Sequence, residues 1–306
     1  MNKIPDIQFF KKNMREIEIE TISLETLFVR RHKLDNLLEK DHRVHFYHIM
    51  LITKGKGVHR IDLEPYSYSE GSLIFVSKGQ VHAFDPQFSS KGIIIIFTEK
   101  FLIKNLIYSD ILYLHRLFNY HLHNPVINGS EYNTQELISI ISDMHSEYHS
   151  LEEFGKEEML RAQLKILLLK TERIKRSIIV KNSHSKSHIS KLVHSNFIDI
   201  FTRLRQLIER NYAKTRNAQD YASWLNISPK QLNEICKTIT DKTSKEFIDS
   251  FIILEIKRML SISSLAVKEL TYQFGFDEPT NFLKYFKKHT GQTPSEFRIT
   301  HFNRSF

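Results

Sequence analysis

Two spacings of hydrophobic residues divide the chain into a β-rich first part and a helical remainder. Across residues 24–98, short runs of branched and aromatic side chains are separated by turn signals, which is typical of a small barrel or sandwich. Residues 24–29 are predicted to form a strand, and residues 92–98 a strand that is buried on both faces. After Glu99 the apolar residues adopt helical spacing, which predicts covering helices over about residues 101–176.

A polar stretch interrupts the helical pattern before the C-terminal third of the chain. Residues 181–191 are rich in Ser, His and Lys and contain almost no large apolar side chain. That composition predicts a flexible linker, which we place at residues 177–199. Because His184 and His188 have no carboxylate or cysteine beside them, a linker is favoured over a metal site there.

Residues 267–298 contain the clearest helix-turn-helix pattern in the sequence. A first helix ends at Gly275, a residue that readily takes the positive φ found at helix ends. An acidic pair followed by proline then signals the start of a second helix. In that helix Phe282, Tyr285 and Phe286 face one way, so polar and basic residues occupy the other side.

The same unit occurs a second time upstream. Residues 236–247 and 286–297 share Lys, Thr, Thr, Glu and Phe in register, which indicates one supersecondary unit used twice. Residues 244–261 are predicted to form one long helix that connects the two copies. The first copy has predicted helices at 218–225 and 229–237, with an inward face made of Leu232, Ile235 and Cys236.

Positive charge is concentrated in the second half of the chain, although the formal net charge of the whole is only +9. Residues 1–169 contain 20 Lys and Arg against 22 Asp and Glu, whereas residues 200–306 contain 17 against 11. A polyanion is therefore expected to bind the C-terminal half. The single cysteine, Cys236, excludes an intramolecular disulfide, and neither a signal peptide nor a membrane span is predicted, so we expect a cytoplasmic protein.

The polar sides of the two second helices supply the candidates for DNA contact. Asn and Gln pair naturally with adenine, whereas Lys237, Lys287 and Lys288 lie at helix ends, where phosphate contact is favoured. Glu234 has two open interpretations, an acceptor for a cytosine amino group or a solvated side chain. The predicted DNA-binding set is Ser228, Lys230, Gln231, Asn233, Glu234, Lys237, Thr280, Asn281, Leu283, Lys284, Lys287 and Lys288.

Two sets of motifs mark residues 200–306. They are Leu225-Asn226-Ile227-Ser228, Leu232 and Lys237 in the first copy, and Gly275-Phe276-Asp277, Phe282, Phe286-Lys287-Lys288, Thr290-Gly291, Thr293-Pro294-Ser295 and Phe297-Arg298 in the second. With these motifs the region resembles the DNA-binding domain of the AraC/XylS family of bacterial transcription regulators. In the first copy, Cys236 stands where the family usually has Phe, Asp241 where Gly is usual, and Ser244 where Pro is usual. The resemblance implies a regulator that binds double-stranded DNA.

The first part of the chain resembles the cupin-type β-barrel of effector-binding domains in the same family. The motifs are His45-x-x-His48, Gly55-x-Gly57-x-His59 and the segment from Gly71 to His82. An enzymatic cupin would combine two histidines and a glutamate of one strand motif with a histidine of a second motif. Here His45 and His48 are three positions apart and point to opposite faces of a regular strand. No metal ligand, cofactor or catalytic residue is therefore predicted.

The barrel is instead expected to hold a pocket for a small effector. The predicted lining combines aromatic surface with a few polar tips, as ligand pockets do, and consists of Tyr47, His59, Phe75, His82 and Phe84. Which of these side chains point inward depends on the pleat, since a shift of one residue inverts the set. The alternative is that the inward residues only pack the barrel.

The predicted fold is α+β with two domains, a cupin-like β-barrel with covering helices and an all-α domain in which a long helix joins two helix-turn-helix units. The predicted boundaries are 1–176, a linker at 177–199, and 200–306. The predicted function is a sequence-specific DNA-binding transcription regulator, not an enzyme, controlled by a small-molecule effector. A metal-dependent cupin enzyme fused to a DNA-binding domain and a ligand-independent dimeric regulator remain the alternatives. The predicted partners are double-stranded DNA, an effector, a second copy through the 156–174 helix, and RNA polymerase.

Overall fold

The computed structural model describes residues 6–7, 9, 17–30, 38–85, 88–103, 117–119, 124–151, 154–182 and 195–302. The chain divides into two compact units, one spanning Pro5–Asn182 and the other containing Ser183–Phe306. Among the described residues, no helix is both long and apolar enough to cross a membrane.

The N-terminal unit is built on two five-stranded sheets. The described strands are β1 (Asp6–Ile7), β2 (Ile19–Ser23), β3 (His42–Val44), β4 (Tyr47–Lys54), β5 (Gly57–Ile61), β6 (Glu64–Tyr68), β7 (Leu73–Val76), β8 (Val81–Ala83), β9 (Lys91–Phe97) and β10 (Val126–Ile127). The first sheet has the order β1-β3-β8-β5-β6, and the second has the order β10-β7-β4-β9-β2. The described helices of the N-terminal unit are α1 (Leu24–Arg30), α2 (Glu99–Ile103), α3 (Thr134–His149) and α4 (Lys156–Asn182), with a 3-10 turn at Gly129–Glu131.

The second sheet is covered on both faces, which gives this unit three layers. Successive side chains of a strand point to opposite faces, so Ile49 of β4 joins a core shared with α3 and α4, while Met50 joins a core shared with the first sheet. We call these the helix-side core and the inter-sheet core. In β9, Ile95 lies in the helix-side core and Ile94 in the inter-sheet core, which confirms the prediction of a strand buried on both faces.

The predicted strand at residues 24–29 is wrong, because the structure places helix α1 there. The strand lies just upstream, where β2 pairs with β9 along its whole length. The hydroxyl of Ser23 then accepts the amide N–H of Thr26 at 3.1 Å, which is how a capping serine starts a helix. Leu24 and Leu27, one helical turn apart, are both buried. A capping serine and an apolar pair at that spacing outweighed the strand propensity of the segment.

The C-terminal unit is all α in its described part, residues 195–302. Its helices are α5 (Ser195–Asn211), α6 (Ala218–Trp224), α7 (Pro229–Thr240), α8 (Ser244–Ile262), α9 (Val267–Gln273), α10 (Pro279–Thr290) and α11 (Pro294–Phe302). Helix α8 is the predicted connector, and it is buried along most of its length, as expected for a helix that both repeats pack against. The predicted two helix-turn-helix units joined by a long helix are therefore confirmed.

The backbone repeats the same left-handed positions in both copies. The turn between the paired helices contains Asn226 at φ 55° in the first copy and Gly275 at φ 68° in the second. The second helix of each pair ends at Asp241, with φ 57°, and at Gly291, with φ 78°. Aspartate accordingly takes the left-handed conformation that glycine takes in the other copy.

Helix α8 begins without the proline usual in the resembling family, but it has the same capping box as α11, which begins with Pro294. The hydroxyl of Thr243 accepts the amide N–H of Glu246, whose carboxylate accepts the N–H of Thr243 at 2.7 Å. The pair Thr293 and Glu296 forms the same hydrogen bonds at the start of α11. Reciprocal caps of this kind satisfy two amides that the first turn of a helix leaves free.

The predicted linker at residues 177–199 is helical at both ends. Helix α4 continues to Asn182, because Ile174 and Ile178 still pack against the helix-side core. Helix α5 begins at Ser195. Residues 183–194, including His184 and His188, lie outside the described residues.

Replacing Gly275 by alanine should destabilise the C-terminal unit by more than about 3 kcal/mol. An alanine Cβ there would lie 1.8 Å from the carbonyl oxygen of Ala213, and φ is +68°. Gly291→Ala is the matched control, since its φ is +78° but nothing lies within 4 Å of the added Cβ. The control should lose only the left-handed strain of about 1 kcal/mol. Urea unfolding followed by fluorescence of the single tryptophan, Trp224, measures both, and equal losses would contradict this account.

Candidate functional site

The outer sides of α7 and α10 carry the predicted DNA-contact residues. The inner sides of these helices are apolar and buried, with Leu232 and Ile235 in α7 and Phe282 and Phe286 in α10 all 0% exposed. Of the twelve predicted residues, ten are exposed and two, in α7, are half-buried. Each helix-turn-helix unit therefore presents a polar, lysine-bearing surface on an apolar base.

Two of the predicted contact residues also hold the local fold together. The side-chain oxygen of Asn233 accepts the amide N–H of Ser244, the first residue of α8, at 3.1 Å. The hydroxyl of Ser228 accepts the amide N–H of Gln231 at 3.1 Å and so caps α7. Since loss of a cap costs about 1 kcal/mol, substitutions at these positions change stability as well as any DNA contact.

Arg216, which precedes α6, clamps the turn of the second unit. Its guanidinium donates to the carbonyl oxygens of Phe274 and Gly275 at 2.9 and 3.0 Å, and its central carbon lies 3.8 Å from the centroid of the Phe276 ring. A planar guanidinium can make this fork and this stack together, whereas a lysine cannot. Nothing in the local sequence around Arg216 indicates this contact, which joins residues far apart in the chain.

Asp249 of α8 anchors helix α10. Its carboxylate accepts the hydroxyl of Tyr285 at 2.9 Å and lies 3.8 Å from Nε2 of His289, and it also pairs with Lys245. Burial, reinforced by the Asp249 charge, raises the pKa of Tyr285, so its hydroxyl remains a donor. The polar surface of α10 is thereby held at a set orientation on the connector helix.

A cluster of three histidines lies between the two sheets of the N-terminal unit. His48 comes from β4 of the second sheet, and His59 and His82 come from β5 and β8 of the first sheet. All three side chains are at most 3% exposed. Nε2 of His59 lies 3.1 Å from Nδ1 of His82, and one ring nitrogen from each histidine lies within 4.8 Å of those of the other two.

Burial dominates the electrostatics of this histidine cluster. Desolvation, reinforced by neighbouring imidazoles, lowers the pKa of His48 and of His82 well below 6.5. Desolvation, with His42 and Arg60 nearby, lowers the pKa of His59 to about 3. The three rings are consequently neutral near pH 7, the protonation state in which imidazole can donate a lone pair to a metal.

The sequence predicts that His59 and His82 share a site, but it does not predict that His48 joins them. His45 lies at a bend outside the strands and is half-buried, so it does not share a site with His48. The partners of His48 instead come from two strands of the facing sheet. Single histidines on separate strands, such as His59 and His82, are a weak sequence signal of a shared site. Strand order and register decide which residues each of them faces.

The five residues predicted to line one effector pocket lie on two sides of the second sheet. Tyr47 and Phe75 belong to the helix-side core. Phe84 belongs to the inter-sheet core, where its ring lies 4.8 Å from that of His59 and 5.8 Å from that of His82. The predicted set therefore falls into two groups, because Tyr47 and Phe75 lie on the helix side of the second sheet, whereas His59, His82 and Phe84 lie between the sheets.

Phe75, one of the helix-side group, lines a small cavity of about 10 Å³, room for roughly one water molecule, that also contains a buried lysine. Lys175 of α4 donates to the carbonyl oxygen of Leu117 at 3.1 Å, and its Nζ lies 4.2 Å from the centroid of the Phe75 ring. Burial lowers the pKa of Lys175 to about 7, and the charge of Glu172 opposes that shift. The pocket lining is Phe75, Gln80, Leu117, Phe118, Asn119, Pro125 and Lys175.

The N-terminal unit should lose stability as the pH falls from 8.5 to 7. Because the folded pKa of Lys175, about 7, is below its unfolded value, folding favours the neutral amine, and protonation of the unfolded chain costs stability as the pH drops. The expected loss is about 1.5 kcal/mol. Urea unfolding followed by circular dichroism should show Lys175→Met without this loss and the exposed control Lys56→Met with it. An unchanged pH dependence in Lys175→Met would refute the assignment.

Both units match known families of domains. Residues 28–166 match the AraC-like ligand binding domain, and residues 221–299 match a helix-turn-helix domain. The chain is 19% identical over 310 residues to the HTH-type transcriptional activator RhaS of Shigella dysenteriae serotype 1, with 97% of each chain covered. It is also 21% identical over 273 residues to the HTH-type transcriptional activator RhaR of Salmonella schwarzengrund. That match covers 84% of this chain and 86% of RhaR.

Among solved structures, the chain is similar to unsaturated fatty acid-bound ToxT from Vibrio cholerae strain SCE256, with a TM-score of 0.43 and 14% identity over 96% of this chain and 99% of ToxT. The two domain matches confirm the resemblance that the sequence motifs indicated. The chain belongs to the AraC family of DNA-binding transcription regulators with an N-terminal ligand-binding domain.

Proposed function

We propose that both helix-turn-helix units of this regulator read DNA, with α7 and α10 each entering a segment of the major groove. The observation that carries the proposal is the repeated polar surface of these helices above buried apolar faces. Two recognition helices on one face of B-DNA would have to be separated by about one helical turn, roughly 34 Å. On this proposal a single subunit reads two adjacent groove segments.

The proposed contacts divide into positioning and reading groups. Lys287 and Lys288, in the last turn of α10, are assigned to phosphates, as is Lys237 in α7. Asn281 and Lys284, exposed on α10, are assigned to base edges. This division makes the two groups distinguishable by experiment, because phosphate contacts affect all sequences alike.

Replacing Lys287 and Lys288 together by alanine should weaken binding to every duplex and flatten its salt dependence. Each lost phosphate contact should reduce the slope of log K against log salt by about 0.9. Lys284→Ala should instead relax preference at one base position of an operator selected from a random DNA pool. Lys268→Ala, an exposed lysine of α9, is the matched control and should bind normally. A double variant with an unchanged slope would remove these lysines from the interface.

We further propose that the N-terminal unit senses a signal and that the chain has no enzymatic activity of its own. The match to a ligand-binding domain supports sensing. A ligand-independent dimeric regulator is the alternative, and a thermal-shift screen against sugars and small acids separates the two, because a bound ligand raises the apparent stability. A cytoplasmic location, domain boundaries near 176 and 200, and contact with RNA polymerase complete the proposal.

A homodimer formed through α4 is part of the same proposal. Met159 and Ile166 are seven residues apart on α4 and remain 50% and 46% exposed. Ala162 and Arg173 are also exposed, and Leu169 is half-buried, so the outer side of the helix has the three-and-four spacing of a coiled-coil seam. An apolar seam of this kind favours a second copy of the same helix as its partner.

Ile166→Glu should convert the dimer to a monomer, because two glutamates would face each other across the seam. Sedimentation velocity over a range of protein concentrations measures the change. Val58→Glu is the control, since Val58 is an exposed apolar residue of β5 outside the seam, 38% exposed. If the two variants have the same mass distribution, α4 is not the dimer interface.

A further inference from the structure

We propose that His48, His59 and His82 bind one divalent transition-metal ion, with Zn²⁺ as the best match, between the two sheets of the N-terminal unit. This site lies in the N-terminal unit, whereas the proposed DNA-contact residues lie in the C-terminal unit. The sequence motifs do not predict it, because His48 lies on one sheet and its two partners lie on two strands of the facing sheet.

The spacing of the three ring nitrogens is close to the spacing of ligand nitrogens around a bound zinc ion. Zn²⁺ binds imidazole nitrogens at about 2.0–2.1 Å, so two ligands of a tetrahedral site lie roughly 3.3 Å apart. Nε2 of His59 and Nδ1 of His82 are 3.1 Å apart and share a hydrogen bond, which a bound ion would replace at nearly the same separation. With the three ligand nitrogens all within 4.8 Å of one another, a movement of roughly 1.5 Å closes the site. Three nitrogens leave a fourth position for water or another ligand.

Two buried ring nitrogens in the cluster have no hydrogen-bond partner. These are Nε2 of His48 and Nδ1 of His59. A buried polar atom without a partner costs about 1–3 kcal/mol, and such atoms in a folded protein call for a specific explanation. A metal ion bound by His48 would give the first of these two atoms a partner, and it explains why an imidazole, rather than an aliphatic side chain, lies beside Met50 on this face of β4.

The donor set selects the class of ion. Three neutral imidazoles suit zinc, copper, nickel, cobalt or iron, whereas magnesium and calcium require oxygen ligands. The aromatic rings of Phe46 and Phe84 lie 6.4 Å from His48 and 4.8 Å from His59, and they give the site an apolar wall. Because His48 belongs to one sheet and the other two ligands to the facing sheet, a bound ion would join the sheets directly.

The first experiment uses the full chain, stripped with a chelator and titrated with ZnCl₂ against a chromophoric chelator. One equivalent of Zn²⁺ should bind, and the N-terminal unit should melt roughly 5–10 °C higher at a free Zn²⁺ concentration of 100 times Kd. CoCl₂ should give the visible absorption of a tetrahedral Co²⁺ site. X-ray absorption of the zinc-loaded protein should show three imidazole nitrogens, a readout that requires no variant.

The second experiment tests the ligands one at a time. His48→Gln, His59→Gln and His82→Gln should each weaken Zn²⁺ binding by at least about 100-fold, which exceeds the usual effect of residues behind the ligands. His48→Cys retains a donor and should restore binding. The matched control is the double variant His145→Gln, His149→Gln, since these two rings lie 4.4 Å apart on α3 and form the competing histidine pair.

Three outcomes would overturn the proposal. One is the absence of Zn²⁺ binding tighter than about 10 μM, and another is absorption data without three imidazoles. The third is loss of binding in the His145 and His149 control while the cluster variants retain it. The DNA-binding proposal is tested separately by salt-dependent duplex binding, so failure of either leaves the other standing.

Discussion

The alternation of side chains along β4 is the constraint on which the N-terminal unit depends. The second sheet has an apolar layer on each face, so the buried residues 47–52 of this central strand each point into one of two layers. Ile49 and Leu51 pack against helices, while His48 and Met50 face the other sheet. The position of His48 in the histidine cluster, on the opposite face from Tyr47, follows from that alternation.

In each unit, some of the buried polar side chains have a role other than packing. The N-terminal unit places His48, His59 and Lys175 in surroundings that are otherwise apolar, at a cost that hydrophobic residues would avoid. In the C-terminal unit, Asp249 accepts a hydrogen bond from Tyr285 and thereby ties α10 to α8. The buried side chains of the N-terminal unit could bind a ligand or an ion. Asp249 and Tyr285 instead hold the exposed polar surface of α10 in one orientation.

Because the helix-turn-helix unit occurs twice, equivalent positions of the two copies have the same backbone conformation and the same helix caps. Asn226 and Gly275 both take positive φ in the turn, and the glycine lies against the backbone carbonyl of Ala213. The capping boxes before α8 and α11 are likewise equivalent. Arg216 has no counterpart in this scheme, because it joins the chain before the first unit to the turn of the second.

Local sequence determined the helices, caps and repeats of the C-terminal unit, since spacing, capping residues and left-handed positions act within a few residues of one another. It also determined the burial of β9, which a continuous apolar run requires. Only the tertiary structure decided that residues 24–29 form a helix, that Tyr47 and His59 lie in different layers, and that His48 meets two histidines of another sheet. Those outcomes depend on strand order and register, which bring together residues that no local pattern relates.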